Sequence, residues 1–460
     1  MGLLMVAFRS VPQELNLLFE HKFGLPAVKF VSFRFLPSRG ISMRSKVPFL
    51  RALRHRPWPR SSVVAPRLDQ SQPVEEQNSP YYDPQHFYAA RIGDVLNERY
   101  QLATKLGHGS RSTVWLARDL KQWKWLTERY VAIKIKATIP SPAHEAADGE
   151  LNILRQIAQT NRKHPGWVFV RRMLDTFTTP GQCGNHTCLV FEPLREPLWL
   201  YQRRFIDDVI PLSTIKIILQ MVLLGLDCLH SECHIIHTDL KPDNIMVKLE
   251  DPSILERDAE DEFKHPLPQK HCEDGRVIYL ARNDYGQFRR PVGVIRITDL
   301  DLAVSGDILR KGCIQAELYR APEVILNVGY SYSADVWSLG VMLWDLIEGS
   351  PLFKVDVPER VCEYDDQQHL GMITALLGAP PQSLLKQGDR TSLFYNVEGR
   401  LHNPDLIPTS FNFETTISNV SGEEKKMFIN FVQKMIRWLP SERSTANELL
   451  KDPWLELDRH

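Results

Sequence analysis

The feature that most constrains this chain is a charged octapeptide placed just behind its most apolar stretch. Residues 215–230 read IKIILQMVLLGLDCLH, broken by Gln220 and Asp227. Residues 237–244 then read His-Thr-Asp-Leu-Lys-Pro-Asp-Asn. No run of 18 apolar residues occurs, so the first stretch predicts a buried core helix and no membrane span. A helix that apolar must be covered by other elements. The polar residues after it are therefore held at the end of a core element.

The elements that could cover it change character along the sequence. Strand-like segments come first: YQLATKLG, STVWLARDL and YVAIKIKA, from Tyr100 onward. A helical pattern follows, EAADGELNILRQIAQ, and then two more strands, VRRMLDTFTT and HTCLVFEPL. Beyond residue 210 the pattern is mainly helical, apart from a polar insert at about 250–290 containing ERDAEDEFKHPLPQKH. No internal repeat is visible. This order predicts an α+β fold of two lobes, a small β-rich one over 91–193 and a larger helical one over 194–457 that carries the insert.

The formal net charge is zero, but the charges are unevenly spread. Residues 1–68 hold twelve basic and two acidic residues, so of 56 each the remainder keeps 44 basic and 54 acidic, a net of −10. An acidic body is not expected to bind nucleic acid directly and suits a basic protein substrate. A monomer without a membrane partner is expected. Residues 1–90 are Arg-, Ser- and Pro-rich and read as a disordered extension. Their acid-poor start also resembles a mitochondrial transit peptide, while a start at Met43 would remove much of it. Cytoplasm and/or nucleus is the expected compartment, with the mitochondrion as the alternative. Seven cysteines without a CxxC pair suit a reducing compartment. The cluster Cys183, His186 and Cys188 lacks an evident fourth ligand and reads as a turn between two strands.

Three groups of residues carry chemistry. Leu106-Gly107-His-Gly109-Ser-Arg-Ser112-Thr-Val114 is a glycine-rich turn, where backbone N–H groups can approach a phosphate with no Cβ in the way. It runs from strand into strand, unlike a dinucleotide fingerprint, which runs into a helix. Val131-Ala132-Ile133-Lys134 follows as an alternating strand whose lysine faces inward and needs an anionic partner. Glu150, on the next predicted helix, is the candidate. The octapeptide supplies Asp239, Lys241 and Asn244, and a strand VIRIT ends at Asp299, followed by Leu300 and Asp301. Further on stand Tyr319-Arg320-Ala321-Pro322-Glu323, Asp335-Val-Trp337 and Arg443.

With these motifs in this order, residues 92–457 resemble the eukaryotic protein kinases. A closer resemblance is to the SR-protein kinases, particularly the short fungal members. It is carried by ARIGDVLNERYQLATKLGHGSRSTVWLARD, CLHSECHIIHTDLKPDNIM, the insert SILERDAEDEF and IQAELYRAPEVIL. The resemblance implies a bilobal fold and an ATP- and Mg2+-dependent serine/threonine protein kinase acting on a basic or Arg/Ser-rich protein. It implies that Asp239 and Lys241 are catalytic and that Asn244 and Asp299 hold the metal. Leu106, Gly107, Gly109, Val114, Ala132, Lys134 and Glu150 would serve the nucleotide, with Phe191 as gatekeeper and Glu192 to Leu194 as the segment behind it. Glu323 and Arg443 would form a buried structural ion pair. A pseudokinase or scaffold module is the alternative, supported by Ser112, Asp301 and Ala316.

The departures from the family pattern have physical consequences. Thr238 replaces an arginine that pairs with a phosphate on the following loop, and Leu302–Leu318 contains Ser305 as its one hydroxyl residue. A kinase independent of phosphorylation of that loop is expected. Ala316 and Glu317 stand where such kinases carry threonine and arginine. Asp301 replaces a glycine, and is expected to point to solvent or to cap the next turn. Asp299 lies 24 residues before Glu323, which makes it, and not Asp301, the metal-binding aspartate of the family pattern.

Overall fold

Alternation along Tyr130–Lys136 puts Val131, Ile133 and Ile135 on one face of a strand, and Tyr130, Ala132 and Lys134 on the other. The structure is a computed structural model and describes residues 53–138, 149–286, 288, 293–354 and 364–457. The chain divides into two compact units. One comprises Met1–His144, Arg172–Leu194 and Leu249–Arg289, the other Glu145–Arg171, Arg195–Lys248 and Arg290–His460.

The first unit is built on a six-stranded antiparallel sheet. Its strands are β1 (Val95–Leu96), β2 (Tyr100–Gly109), β3 (Ser112–Asp119), β4 (Tyr130–Lys136), β5 (Met173–Gly181) and β6 (Gly184–Phe191). They lie in the order β1-β2-β3-β4-β6-β5. One face buries Leu102, Trp115, Val131, Ile133 and Val190, and Tyr279 of the insert packs there, its ring 5.5 Å from that of Trp115 and nearly perpendicular to it. On the other face Leu255 and Ala259 of the helix Ser253–Lys264 pack against Ala103, Leu116 and Tyr130.

This division differs from the sequence reading in three places. The insert, expected in the helical lobe, belongs to the β-rich unit because both of its elements supply apolar groups that cover the sheet. The helix Gly149–Gln159, expected in the β-rich lobe, falls in the other unit. Of residues 1–90, read as a disordered extension, 1–52 lie outside the described residues and 53–90 pack on the first unit. The Arg118 guanidinium lies over the Trp58 ring at 4.0 Å, and the Leu68 and Gln269 backbones are bonded at 2.8 Å. Arg60 finds an acid there, Asp94, at 3.1 Å. Cys183 lies in the turn of the β5–β6 hairpin and His186 and Cys188 on its second strand, and the His186 ring bonds the Lys136 carbonyl at 2.9 Å.

In the second unit the helix Leu212–Asp227 forms the core, and eleven of its residues are buried. Together with the turn Cys228–Glu232 it is long and apolar enough to cross a membrane, and 67% of its most apolar window is buried by the fold itself. The strand Ile295–Ile297 pairs antiparallel with Ile245–Lys248. Gly225 lets this pair sit close to the helix, for a Cβ there would lie 2.7 Å from Ile297 Cδ1. Trp337, Trp344, Phe428, Phe431 and Trp454 fill the remaining core.

Candidate active site

Asp335 fixes the loop that carries the octapeptide. It lies on the helix Ser333–Glu348 and is 1% exposed. Its carboxylate accepts the backbone N–H groups of His237 at 2.8 Å and Thr238 at 2.9 Å, and the His230 ring Nε2–H at 2.9 Å. Burial pushes this carboxyl up, but the bonds from the His230 ring and the His237 backbone N–H outweigh it and hold Asp335 below the usual carboxylate range. The His237 ring bonds the Thr298 carbonyl through Nε2 at 2.9 Å and accepts the Asp239 N–H at Nδ1 at 3.3 Å. Thr238 is held at φ +69°, a left-handed conformation uncommon for a β-branched residue.

Three candidate residues converge on this support. The Asp239 carboxylate pairs with Lys241 Nζ at 2.9 Å and accepts Asn244 Nδ2–H at 2.9 Å. The same Asn244 nitrogen donates to the Asp239 carbonyl at 2.7 Å, which leaves the amide oxygen as a ligand atom. The Asp239 side chain is 13% exposed and that of Lys241 26%, so both reach solvent from a buried base. Thr298 donates its N–H (2.8 Å) and hydroxyl (3.1 Å) to the Asn244 carbonyl, joining the loop to the strand that precedes Asp299.

Asp299 is also left-handed, at φ +59°, and Leu300 beside it is buried. The carboxylates of Glu150, Asp299 and Asp301 come within 4.8 Å of one another, with Glu150 buried and both aspartates exposed. Three hard oxygen donors that close suit a small divalent cation such as Mg2+. Asp301 is solvent-exposed as expected, and its carboxylate lies in this cluster.

In the first unit, sheet register gathers the nucleotide candidates. Gly107 pairs with Val114 across β2 and β3, Val114 with Lys134 across β3 and β4, and Ala132 with Phe191 across β4 and β6. Directly paired residues share a face, so Val114, Ala132, Lys134 and Phe191 all point the same way. Leu106 packs on that same face, beside Leu116. Glu192 and Leu194 follow directly at the end of β6. Gly109 comes within 3.1 Å of Ser112 Oγ at the position of a Cβ, whereas Gly107 faces open space.

The second unit holds polar residues that the sequence reading passed over. Gln315 is buried; its amide donates to the Ala334 carbonyl (2.9 Å) and Ser338 Oγ (2.8 Å) and accepts the Ala321 N–H (2.9 Å). Asp345 accepts the Tyr319 hydroxyl at 2.9 Å, and burial pushes its carboxyl up to about 6, with Asp243 adding to the effect. A lone acid near the end of an apolar helix gives no sequence signal of this kind. The expected pair is present: Arg443 holds Glu323 by two bonds of 2.6 Å, with both side chains fully buried.

Residues 100–455 match the family described as the protein kinase domain. The chain belongs to the protein kinase family. A serine/threonine protein kinase of Aspergillus fumigatus is 35% identical over 404 residues, covering 86% of this chain and 95% of its own. The serine/threonine-protein kinase SRPK of Physarum polycephalum is 30% identical over 403 residues, covering 83% and 91%. Within the family the chain is a serine/threonine protein kinase of the SR-protein-kinase-like group. A solved kinase domain shares the fold, with a TM-score of 0.61 and 24% identity, covering 81% of this chain and all of that one.

Proposed function

We propose that Asp239, Lys241, Asn244 and Asp299 carry the phosphotransfer, with ATP as donor and Mg2+ as the metal, and that the substrate is a basic, Arg/Ser-rich protein. Protein kinases in general use ATP and magnesium on protein substrates. The observation that carries the reading is the carboxylate of Asp239, bonded at 2.9 Å by both Lys241 and Asn244 on a loop fixed by Asp335.

In this reading Asp239 orients a substrate serine or threonine hydroxyl and accepts its proton. The hydroxyl oxygen forms a bond to the γ-phosphorus of ATP as the bond to the β–γ bridging oxygen breaks, and ADP leaves. Lys241 offsets charge on the phosphoryl oxygens in transfer. Asn244 and Asp299 would hold the metal, with Asp301 beside them, and the metal would neutralise phosphate charge. The glycine-rich turn would cover the phosphates with backbone N–H groups, and Lys134 would pair with them.

Asp243 and Asp345 support a basic substrate. They lie four residues beyond Asp239 and against Tyr319, and each raises the proton affinity of this patch. An arginine guanidinium beside them would meet two carboxylates and relieve that repulsion. The test is labelled ATP with an Arg-Ser repeat protein, a generic basic protein and an acidic protein, with Asp239→Asn run alongside. Transfer that favours the first, and is lost in the variant, is expected. Equal labelling of all three would sink the basic-substrate reading, and transfer by Asp239→Asn at the parent rate would sink the catalytic one.

A further inference from the structure

The glycine-rich turn is braced from a segment that the family match, beginning at residue 100, leaves out. Residues 75–81 meet the turn on both of its sides. At its entry Lys105 is fully buried, where it forms an ion pair with Glu76, lies 3.4 Å from Glu75 and donates to the Tyr279 carbonyl at 3.0 Å. At the tip Glu75 also approaches the His108 ring at 3.7 Å. On the exit side the Ser79 hydroxyl donates to the Ser110 carbonyl at 3.1 Å, and the Arg111 guanidinium lies over the Tyr81 ring at 5.0 Å. The brace is itself anchored in the insert: Glu75 accepts the Ala281 N–H at 2.9 Å, and the Arg282 N–H reaches the Lys105 carbonyl at 2.8 Å.

A glycine-rich turn is permissive by nature, because glycine leaves its backbone many conformations. Using it on a ligand means ordering it, and any ordering done beforehand by the protein lowers that cost at binding. Lys105 sits immediately before Leu106-Gly107, and Ser110 and Arg111 immediately after Gly109. The contacts therefore hold the two stems and the tip while leaving Gly107 facing open space.

We infer that Glu75 and Ser79 are positioning residues for the nucleotide, acting through the glycine-rich turn from outside the family-matched region. The inference rests on the reading of that turn as the phosphate cover. Glu75→Gln keeps an acceptor for Ala281 and removes the charge, and Ser79→Ala removes two hydrogen bonds, to the Ser110 carbonyl and from the Tyr81 N–H. Neither leaves a buried charge unpaired, because Lys105 keeps its ion pair with Glu76, so both proteins are expected to fold.

The experiment measures KM for ATP, kcat at saturating protein substrate, and Tm for the full chain, for the double variant Glu75→Gln/Ser79→Ala and, separately, for Gly107→Ala. A Cβ at Gly107 meets no neighbouring group within 4 Å, so that variant tests close approach of a ligand to the turn without a clash inside the protein. The expected result for the double variant is a rise of about fivefold in KM for ATP, with kcat within about twofold and Tm unchanged, the split expected when only binding is touched. An unchanged KM in the double variant, with a raised KM in Gly107→Ala, overturns the brace and leaves the phosphate cover standing. An unchanged KM in both overturns the two together. A drop in kcat and Tm without a separate rise in KM also overturns the brace, since it marks a merely structural role.

Discussion

The backbone N–H of Gln315 donates to the carbonyl of Thr238 at 2.9 Å, while the Thr238 hydroxyl donates to the Leu302 carbonyl at 2.8 Å. One residue thus holds both ends of the segment 302–315. Where an arginine would need a phosphate to do this, threonine needs none. Ser305, the one hydroxyl residue of the segment, bonds Asp307 at 3.1 Å. Ser305→Ala is expected to keep kcat within about twofold, because it removes only two exposed hydrogen bonds, both with Asp307. Gln315→Ala leaves three buried bonds unmade and is expected to lower kcat about tenfold or more. Steady-state assays of protein verified by mass spectrometry as unphosphorylated check both, and activity that depends strictly on a phosphate at Ser305 would refute the idea.

Asp345 predicts a pH dependence. Its carboxyl is pushed from 3.8 up to about 6, chiefly by burial. The folded state therefore binds the proton more tightly than the unfolded chain, and between about pH 4 and 6 stability falls as pH rises. Above pH 6 the ionised form costs on the order of 3 kcal/mol. Asp345→Asn keeps an acceptor for Tyr319 and should raise stability at pH 7.5 but not at pH 4, as read by urea denaturation. Its KM for a basic substrate should rise at pH 7.5. In the parent protein the same KM should rise as pH falls through 6, while that for a substrate without arginine stays flat.

How much of this was readable in advance depends on how local each signal is. The grouping of Asp239, Lys241 and Asn244 was legible because the three lie within one octapeptide, and the face of Lys134 followed from the two-residue period of its strand. Glu323 and Arg443 are 120 residues apart, and were joined only through the family pattern. The placement of Leu249–Arg289 was not legible, since a short hairpin and a polar helix do not announce which sheet they cover. The Arg-, Ser- and Pro-rich texture of residues 1–90 pointed to disorder, because partners such as Asp94, which receives Arg60, lie elsewhere in the sequence. Gln315 and Asp345 act through burial, which no spacing encodes.

Asp301 should tune the response to metal. Its carboxylate, with those of Asp299 and Glu150, lies in a cluster spanning 4.8 Å. Asp301→Asn removes one charge from that cluster, and is expected to raise the magnesium concentration for half-maximal activity about threefold. Asp301→Gly should do the same. Titration of activity against Mg2+ at fixed ATP decides it; coincident curves would return Asp301 to a simple turn residue.

The Glu323–Arg443 pair should be costly to break. Arg443 also donates to the carbonyls of Ser333 and Arg437 at 3.0 Å, and stacks on Trp337 at 4.9 Å. Glu323→Ala would leave a buried cation, at a cost of roughly 3–5 kcal/mol. Arg443→Lys loses the two-pronged geometry and should cost nearly as much. Denaturant titration measures both, and a loss below about 1 kcal/mol would place the pair among the weak ones.

The first unit draws on three separate stretches of chain, and this sets a timetable for its birth. Strands β2 to β6 are complete once residue 191 has been made, but Leu255, Ala259 and Tyr279, which cover the two faces of their sheet, come later. At cellular rates of synthesis that gap lasts on the order of ten seconds. During it the nascent sheet presents Leu116, Tyr130 and Trp115 without their covers, an open invitation to chaperones or to aggregation. Chains that stop before the insert should therefore be recovered bound to chaperones or as aggregates, and a fragment that begins at residue 100 lacks Ala90 and Leu96, which pack on the same sheet.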